Sequence, residues 1–199
     1  MKQLHRPDLF GWSEFNEERN IDFHSVLWVR EGGNVLIDPL PMSDHDHYHL
    51  QSLGGVNIIV ITNSDHVRDA ERIANQTGAI VCAPAREEAC FPLACQRWLY
   101  DGETIVQGLV AYQLEGSKTP GELALVLEGS TLITGDLIRC HVGGELCMLP
   151  AAKLTDRSKA IKSVKRIADL TGIKTVLVGD GWPIFNHGAE ALHRLARSL

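Results

Sequence analysis

The sequence predicts an α/β sandwich, two β-sheets packed face to face with helices outside, in a four-layer αββα order within one domain over residues 1–199. Three observations lead there. Short apolar runs that end in turn residues occur in both halves of the chain. Segments with apolar residues at helical spacing lie between and after those runs, so each half carries its own helices. A length of 199 residues with 44% apolar content suits one sizeable core.

The elements follow in order. "HSVLWVR" (24–30) and "NVLIDP" (34–39) flank "EGG" and read as a hairpin. "VNIIVIT" (56–62) is a continuous β-branched run, the pattern of a strand covered on both faces. "DHVRDAERIANQTG" predicts a helix with Val67, Ala70, Ile73 and Ala74 inward and Gly78 as its stop. "AIVCAP" (79–84) completes a parallel strand–helix–strand unit. "ETIVQGLVAYQLEG", "ELALVLEG" and "STLITGDLI" then predict an antiparallel meander broken at glycines. "DRSKAIKSVKRIADLTG" reads as a helix with Ile161, Val164, Ile167, Ala168 and Thr171 on one stripe. "KTVLVGDG" is a further buried strand, and "HGAEALHRLARSL" a closing helix with Ala189, Leu192, Leu195 and Ala196 inward.

Composition removes several classes of function. A net charge of −6 opposes nucleic-acid binding, which needs a basic face for phosphates. No apolar run approaches the roughly 20 residues of a membrane helix, and the start of the chain lacks a signal-peptide core. The cysteines (Cys82, Cys90, Cys95, Cys140, Cys147) are odd in number and form no CxxC pair, so buried thiols in a reducing, cytoplasmic setting are expected. No Gly-x-Ser-x-Gly elbow or P-loop occurs, which disfavours serine hydrolases and NTPases. A small molecule is the expected partner.

Polar residues gather where strands end, in "LIDP", "VITNSDH", "LITGD" and "LVGDG". Strand ends converging on one rim are the usual place for a site in an α/β protein. In order and spacing these motifs resemble the metallo-β-lactamase superfamily over nearly the whole chain, "TPGELALVL…LITGD" being the most specific stretch. The resemblance implies a metal-dependent hydrolase, in which zinc, iron or manganese acidifies a bound water and polarises the bond under attack. It also implies a ligand set, and the residues depart from it. "LIDP" supplies a structural aspartate, Asp38. Where the family carries Thr-His-x-His-x-Asp-His, this chain has Asn63, Asp65, Val67 and Arg68 at the ligand positions. Ser117 or Lys118 replaces the next histidine, Asp136 keeps the bridging aspartate, and Asp180 stands for the closing histidine.

Three readings of the rim stay open. In the first, Asp65, Asp136 and Asp180, joined by His66 if the loop slips one residue, hold one divalent ion, and Asp65 or His66 holds the attacking water; such hard oxygen donors suit magnesium or manganese better than zinc. In the second, Arg68 and Lys118 occupy the ion's place and neutralise Asp136 and Asp180. No metal then binds, and the protein is a catalytically silent binder of a small molecule or anion. In the third, Asp65 or Ser64 caps the helix, Asn63 satisfies the turn, and Arg68 and Asp69 face solvent. His66 falls off the ligand register. His141 and Trp182 are expected to line the pocket. His45, His47 and His49 form a separate cluster, with the 45/49 pair on one face of any helix.

Overall fold

The computed structural model describes residues 1–199. Strands β1 (Lys2–Gln3), β2 (Leu9–Asn16), β3 (Ile21–Trp28) and β4 (Val35–Ile37) run antiparallel to one another. Helix α1 (Asp44–Ser52) follows, and then β5 (Ile58–Val60), a 3-10 turn (Ser64–His66), α2 (Ala70–Thr77), β6 (Ile80–Pro84) and β7 (Arg97–Leu99). From β4 to β7 the pairing is parallel, so the first sheet has the order β1-β2-β3-β4-β5-β6-β7. The second half contributes β8 (Thr104–Val106), β9 (Leu109–Leu114), β10 (Glu122–Leu127) and β11 (Thr131–Thr134) as the antiparallel meander. A two-stranded ribbon, β12 (Ile138–Val142) and β13 (Glu145–Met148), precedes α3 (Arg157–Ala168), β14 (Thr175–Val178) and α4 (Gly188–Ser198). β14 joins β11 in parallel, giving the order β14-β11-β10-β9-β8.

Three apolar clusters account for the four layers. Val26, Ile37, Val60, Leu99, Leu123, Leu125, Ile133 and Leu177 fill the space between the sheets. Leu36, Ile59, Leu50, Ala70 and Ile73 pack α1 and α2 on the first sheet. Ala124, Leu132, Val164, Ile167, Leu192 and Leu195 pack α3 and α4 on the second. Every β10 residue is buried because that strand is covered on both faces. The αββα sandwich is therefore as the sequence predicts.

Several local expectations are corrected. The helix after β5 does not run on from Asp65. The chain makes a 3-10 turn, Arg68 takes a positive φ of 45°, and α2 begins only at Ala70. Neither Ser64 nor Asp65 caps α2; Asn63 caps the 3-10 turn instead, accepting from the Asp65 N–H. On α3 the buried face is Ala160, Ser163, Val164, Ile167 and Ala168, rotated from the predicted stripe, and Thr171 lies beyond the helix. The rotation has a cause. Ser163 bonds the Glu115 backbone in both directions, and Gly116 lies against the first turn of α3, where only small side chains fit. On α4, Ala191 rather than Ala189 is fully buried. No predicted element covers β2, whose eight-residue pairing with β3 makes the longest hairpin. All five cysteines are free; Cys82 and Cys140 are buried, whereas Cys90 is exposed. No helix is long and apolar enough to cross a membrane.

Candidate active site

The parallel strand ends bring the polar motifs together as expected, yet the pairing among them differs from the sequence-based picture. Asp38, at the end of β4, is buried and held at a positive φ of 47°. Its carboxylate accepts from the Thr62 N–H at 2.7 Å and from Thr62 Oγ1 at 2.6 Å. His66 Nδ1 approaches the same carboxylate at 2.8 Å. The other ring nitrogen, Nε2, faces Asp136 Oδ2 at 3.4 Å. Far from lying off the site, His66 is its centre, clamped between two carboxylates. The 3-10 turn causes this, because it swings residue 66 inward and Asp65 outward.

Asp136 follows β11 and collects the remaining donors. Asn63 Nδ2 donates to its Oδ2 at 3.0 Å, and Lys118 Nζ lies 3.0 Å from the same oxygen. Lys118 also reaches Asp65, at 2.7 Å. The Asp65 side chain is 54% exposed, so it sits outside the buried cluster rather than within a ligand triad. Asp180 pairs with Arg139, a partner the sequence reading missed. Both side chains are almost wholly buried. They meet because the Cys140 N–H donates to the Asp180 carbonyl and the Trp182 N–H to the Cys140 carbonyl, laying β12 beside the loop after β14. Gly181 makes this approach possible: its φ is +90°, and a β-carbon there would collide with the Cys140 carbonyl.

Arg68 does not neutralise Asp136 or Asp180. One of its terminal nitrogens donates to the His24 carbonyl at 2.6 Å and the Asp38 carbonyl at 2.9 Å, and the guanidinium lies over Phe23. It is half-buried rather than solvent-facing, and it staples β3 to the end of β4. His141 is exposed, and Trp182 is 60% exposed, so neither walls a closed pocket. His45 and His49 share a face of α1 with ring centroids 6.4 Å apart.

Protonation follows from these contacts. Burial opposes a charge on His66, but Asp38 and Asp136 outweigh it and lift its pKa to about 9, so the ring is an imidazolium at neutral pH. Burial likewise pushes Asp136 upward, yet His66 and Lys118 hold it well below the usual carboxylate range. Lys118 is desolvated, but Asp136 and Asp65 raise its pKa. Glu122 was also missed. It is fully buried on β10, and burial together with the Asp136 charge pushes its pKa to about 8. A neutral Glu122 accepts from the Leu137 N–H at 2.8 Å and from Ser117 Oγ at 2.5 Å. Buried Glu87 ties the two loops, accepting from Ser64 N–H at 2.7 Å and Gly121 N–H at 3.1 Å. The signal for Arg139 and Glu122 was a lone charge in or beside an apolar run, which a folded chain must bury with a partner; Glu87, between Arg86 and Glu88, carried no such signal.

A family model for the metallo-beta-lactamase superfamily matches residues 1–199, and the chain belongs to that superfamily. Membership supports its placement among metal-dependent hydrolases. The structure is similar to a metallo-beta-lactamase from Erythrobacter litoralis, with a TM-score of 0.76 and 15% identity, covering 99% of this chain and 96% of that one. It is similar to the DIM-1 metallo-beta-lactamase, with a TM-score of 0.74 and 14% identity over 98% of this chain and 96% of that one. FIM-1 from Pseudomonas aeruginosa, solved in a mono-zinc form, gives a TM-score of 0.74 at 13% identity, over 98% and 94%. At these identities the likeness concerns the fold. No curated protein matches the chain.

The metal that the superfamily implies can be tested against the donor set. His66, Asp136 and Asp180 offer ligand atoms within 4.8 Å of one another, and this set, not Asp65 with Asp136 and Asp180, is the cluster the fold assembles. The cluster is already neutralised. Asp38, Asp136 and Asp180 face His66, Lys118 and Arg139, three cations against three carboxylates. Both His66 nitrogens are engaged, Nδ1 by Asp38 and Nε2 by Asp136. A divalent ion would have to displace two fixed cations, so these residues do not fit it as they stand.

Proposed function

We propose that this member of a hydrolase superfamily carries a charge-replaced centre that binds a small anionic molecule without metal-dependent turnover. The observation that carries the reading is the pairing of the three buried aspartates at the strand-end rim, Asp38, Asp136 and Asp180, with His66, Lys118 and Arg139. Lys118 and Arg139, rather than Lys118 and Arg68, are the substituting cations, and His66 completes the set. Lys118 gives the centre its access to solvent. It is 23% exposed, and its outer partner Asp65 is the exposed one of its two carboxylates. A carboxylate- or phosphate-bearing ligand enters by exchanging with Asp65, leaving the buried Lys118–Asp136 contact intact.

A second reading keeps the hydrolase active. It is favoured by the convergence of His66, Asp136 and Asp180 and by Asp180 Oδ1, a buried oxygen with no partner. In that reading magnesium or manganese would be held by Asp136 and Asp180 once Arg139 and Lys118 withdrew. Metal analysis of protein purified without a polyhistidine tag separates the two, with anomalous scattering to place any ion. Absence of stoichiometric metal, together with a chelator-insensitive melting temperature, is the expected result. One ion per chain against Asp136 would refute the charge-replaced centre. Asp136→Asn adds a check: it lowers stability by leaving His66 and Lys118 short of a counter-charge, whereas the metal reading makes ion loss its main effect.

A further inference from the structure

A cavity of about 440 Å³ opens beside the rim, at the flank where β2 and β3 overhang β14. It is not part of the ion-paired centre. Val26 and Leu177 on its wall belong to the inter-sheet core, so the cavity is a side opening of that core. Leu4 and Pro183 add apolar surface, and the exposed Lys2 and Ser13 also line the opening. This size and composition fall within the range of small-molecule pockets, which are mostly apolar with a few placed polar groups.

The placed polar group is His24. Its Nε2 lies 2.5 Å from the Gly181 carbonyl, and a carbonyl accepts, so Nε2 carries the proton. Burial lowers the pKa of this ring and favours its neutral form. Nδ1 is then a lone-pair acceptor, and no protein donor meets it. The backbone around His24 is bound to the segment that carries Asp180. His24 N–H donates to the Gly179 carbonyl at 3.0 Å, and Gly181 N–H donates to the Asp22 carbonyl at 2.9 Å.

We propose that this cavity is a binding site for a compact aromatic or branched apolar molecule carrying one hydroxyl or N–H donor, which His24 Nδ1 accepts. The site is distinct from the rim and stands whether or not the rim holds a metal. Its neighbours Asp180 and Gly181 report occupancy through the backbone bonds to β3.

The test uses the full chain and two matched probes, p-cresol and toluene, followed by heteronuclear NMR. Titration with p-cresol is expected to give saturable shifts of the Val26 methyls, the His24 ring and the Gly179–Gly181 amides. Toluene has the same apolar body without the donor, and its affinity is expected to be about tenfold weaker, the equivalent of about 1.4 kcal/mol. Ser13→Trp places a large ring at the mouth from an exposed position, so it abolishes both titrations while leaving the thermal midpoint unchanged. Saturable shifts confined to other surfaces, absence of saturation, or undiminished binding in Ser13→Trp would overturn the site. Equal affinities for the two probes would overturn the donor requirement.

Discussion

The Arg139–Asp180 pair gives a decisive measurement, because the two side chains are only 6% and 2% exposed and are in direct contact. Arg139→Met leaves a buried carboxylate without its cation, and Asp180→Asn leaves a buried guanidinium without its anion. Breaking a buried pair by removing one partner costs about 3–5 kcal/mol. For a chain of this size each kcal/mol moves the melting temperature by about 2–4 °C, so each single variant should melt roughly 6–20 °C lower. The pair is imperfect: Arg139 Nε and Asp180 Oδ1 have no partners, which limits its net worth when both charges go together. The double variant should therefore be far less damaged than the sum of the singles, by more than about 2 kcal/mol. Urea unfolding of the four proteins at neutral pH, with equal m-values, supplies the cycle. Additivity within about 0.5 kcal/mol would mean that the charges do not depend on each other, and the charge-replaced centre would lose its main support.

Three further outcomes are expected. Alkaline pH should destabilise the protein. The folded pKa of His66, about 9, is above its ordinary 6.5, so its contribution of about 3 kcal/mol is complete below pH 6.5 and is lost as pH rises through 9. Glu122 acts in the same direction: its folded pKa of about 8 lies above the ordinary 4.5, so its ionisation costs stability between pH 4.5 and 8. Urea midpoints that stay level or rise from pH 6.5 to 9.5 would contradict both assignments. Thr62→Val removes the 2.6 Å hydroxyl bond to a buried carboxylate and should cost about 1.5–3 kcal/mol by the same assay. Gly181→Ala combines a disfavoured positive φ with a backbone collision and should cost more than about 1 kcal/mol; an unchanged melting temperature would show that the β12 contact is dispensable.

Particular residues show how far the sequence carries. "VNIIVIT" and "ELALVL" identify central strands because continuous apolar runs of that length are stable only when both faces are covered. Asp136 and Asp180 are legible because an acid at the end of a buried strand must reach a rim or a partner. The partner itself is not legible. Arg139 stands three residues after Asp136 in sequence, yet it serves Asp180, forty-one positions further on, because β12 lies against the loop after β14. His66 and Asp65 differ by one position, and a helix starting at Asp65 would give them other directions; the 3-10 turn and the positive φ of Arg68 decide which is buried. The stripe on α3 is rotated because its neighbour is a glycine-bearing loop rather than an apolar sheet alone.

What the amino-acid order determines by itself is the sandwich and the rim, since these rest on local periodicity and on residue identity at strand ends. Which cation meets which carboxylate was decided only by the tertiary structure. A charge pair is a contact a few ångströms long between segments distant in sequence, and packing the two sheets is what brings those segments together.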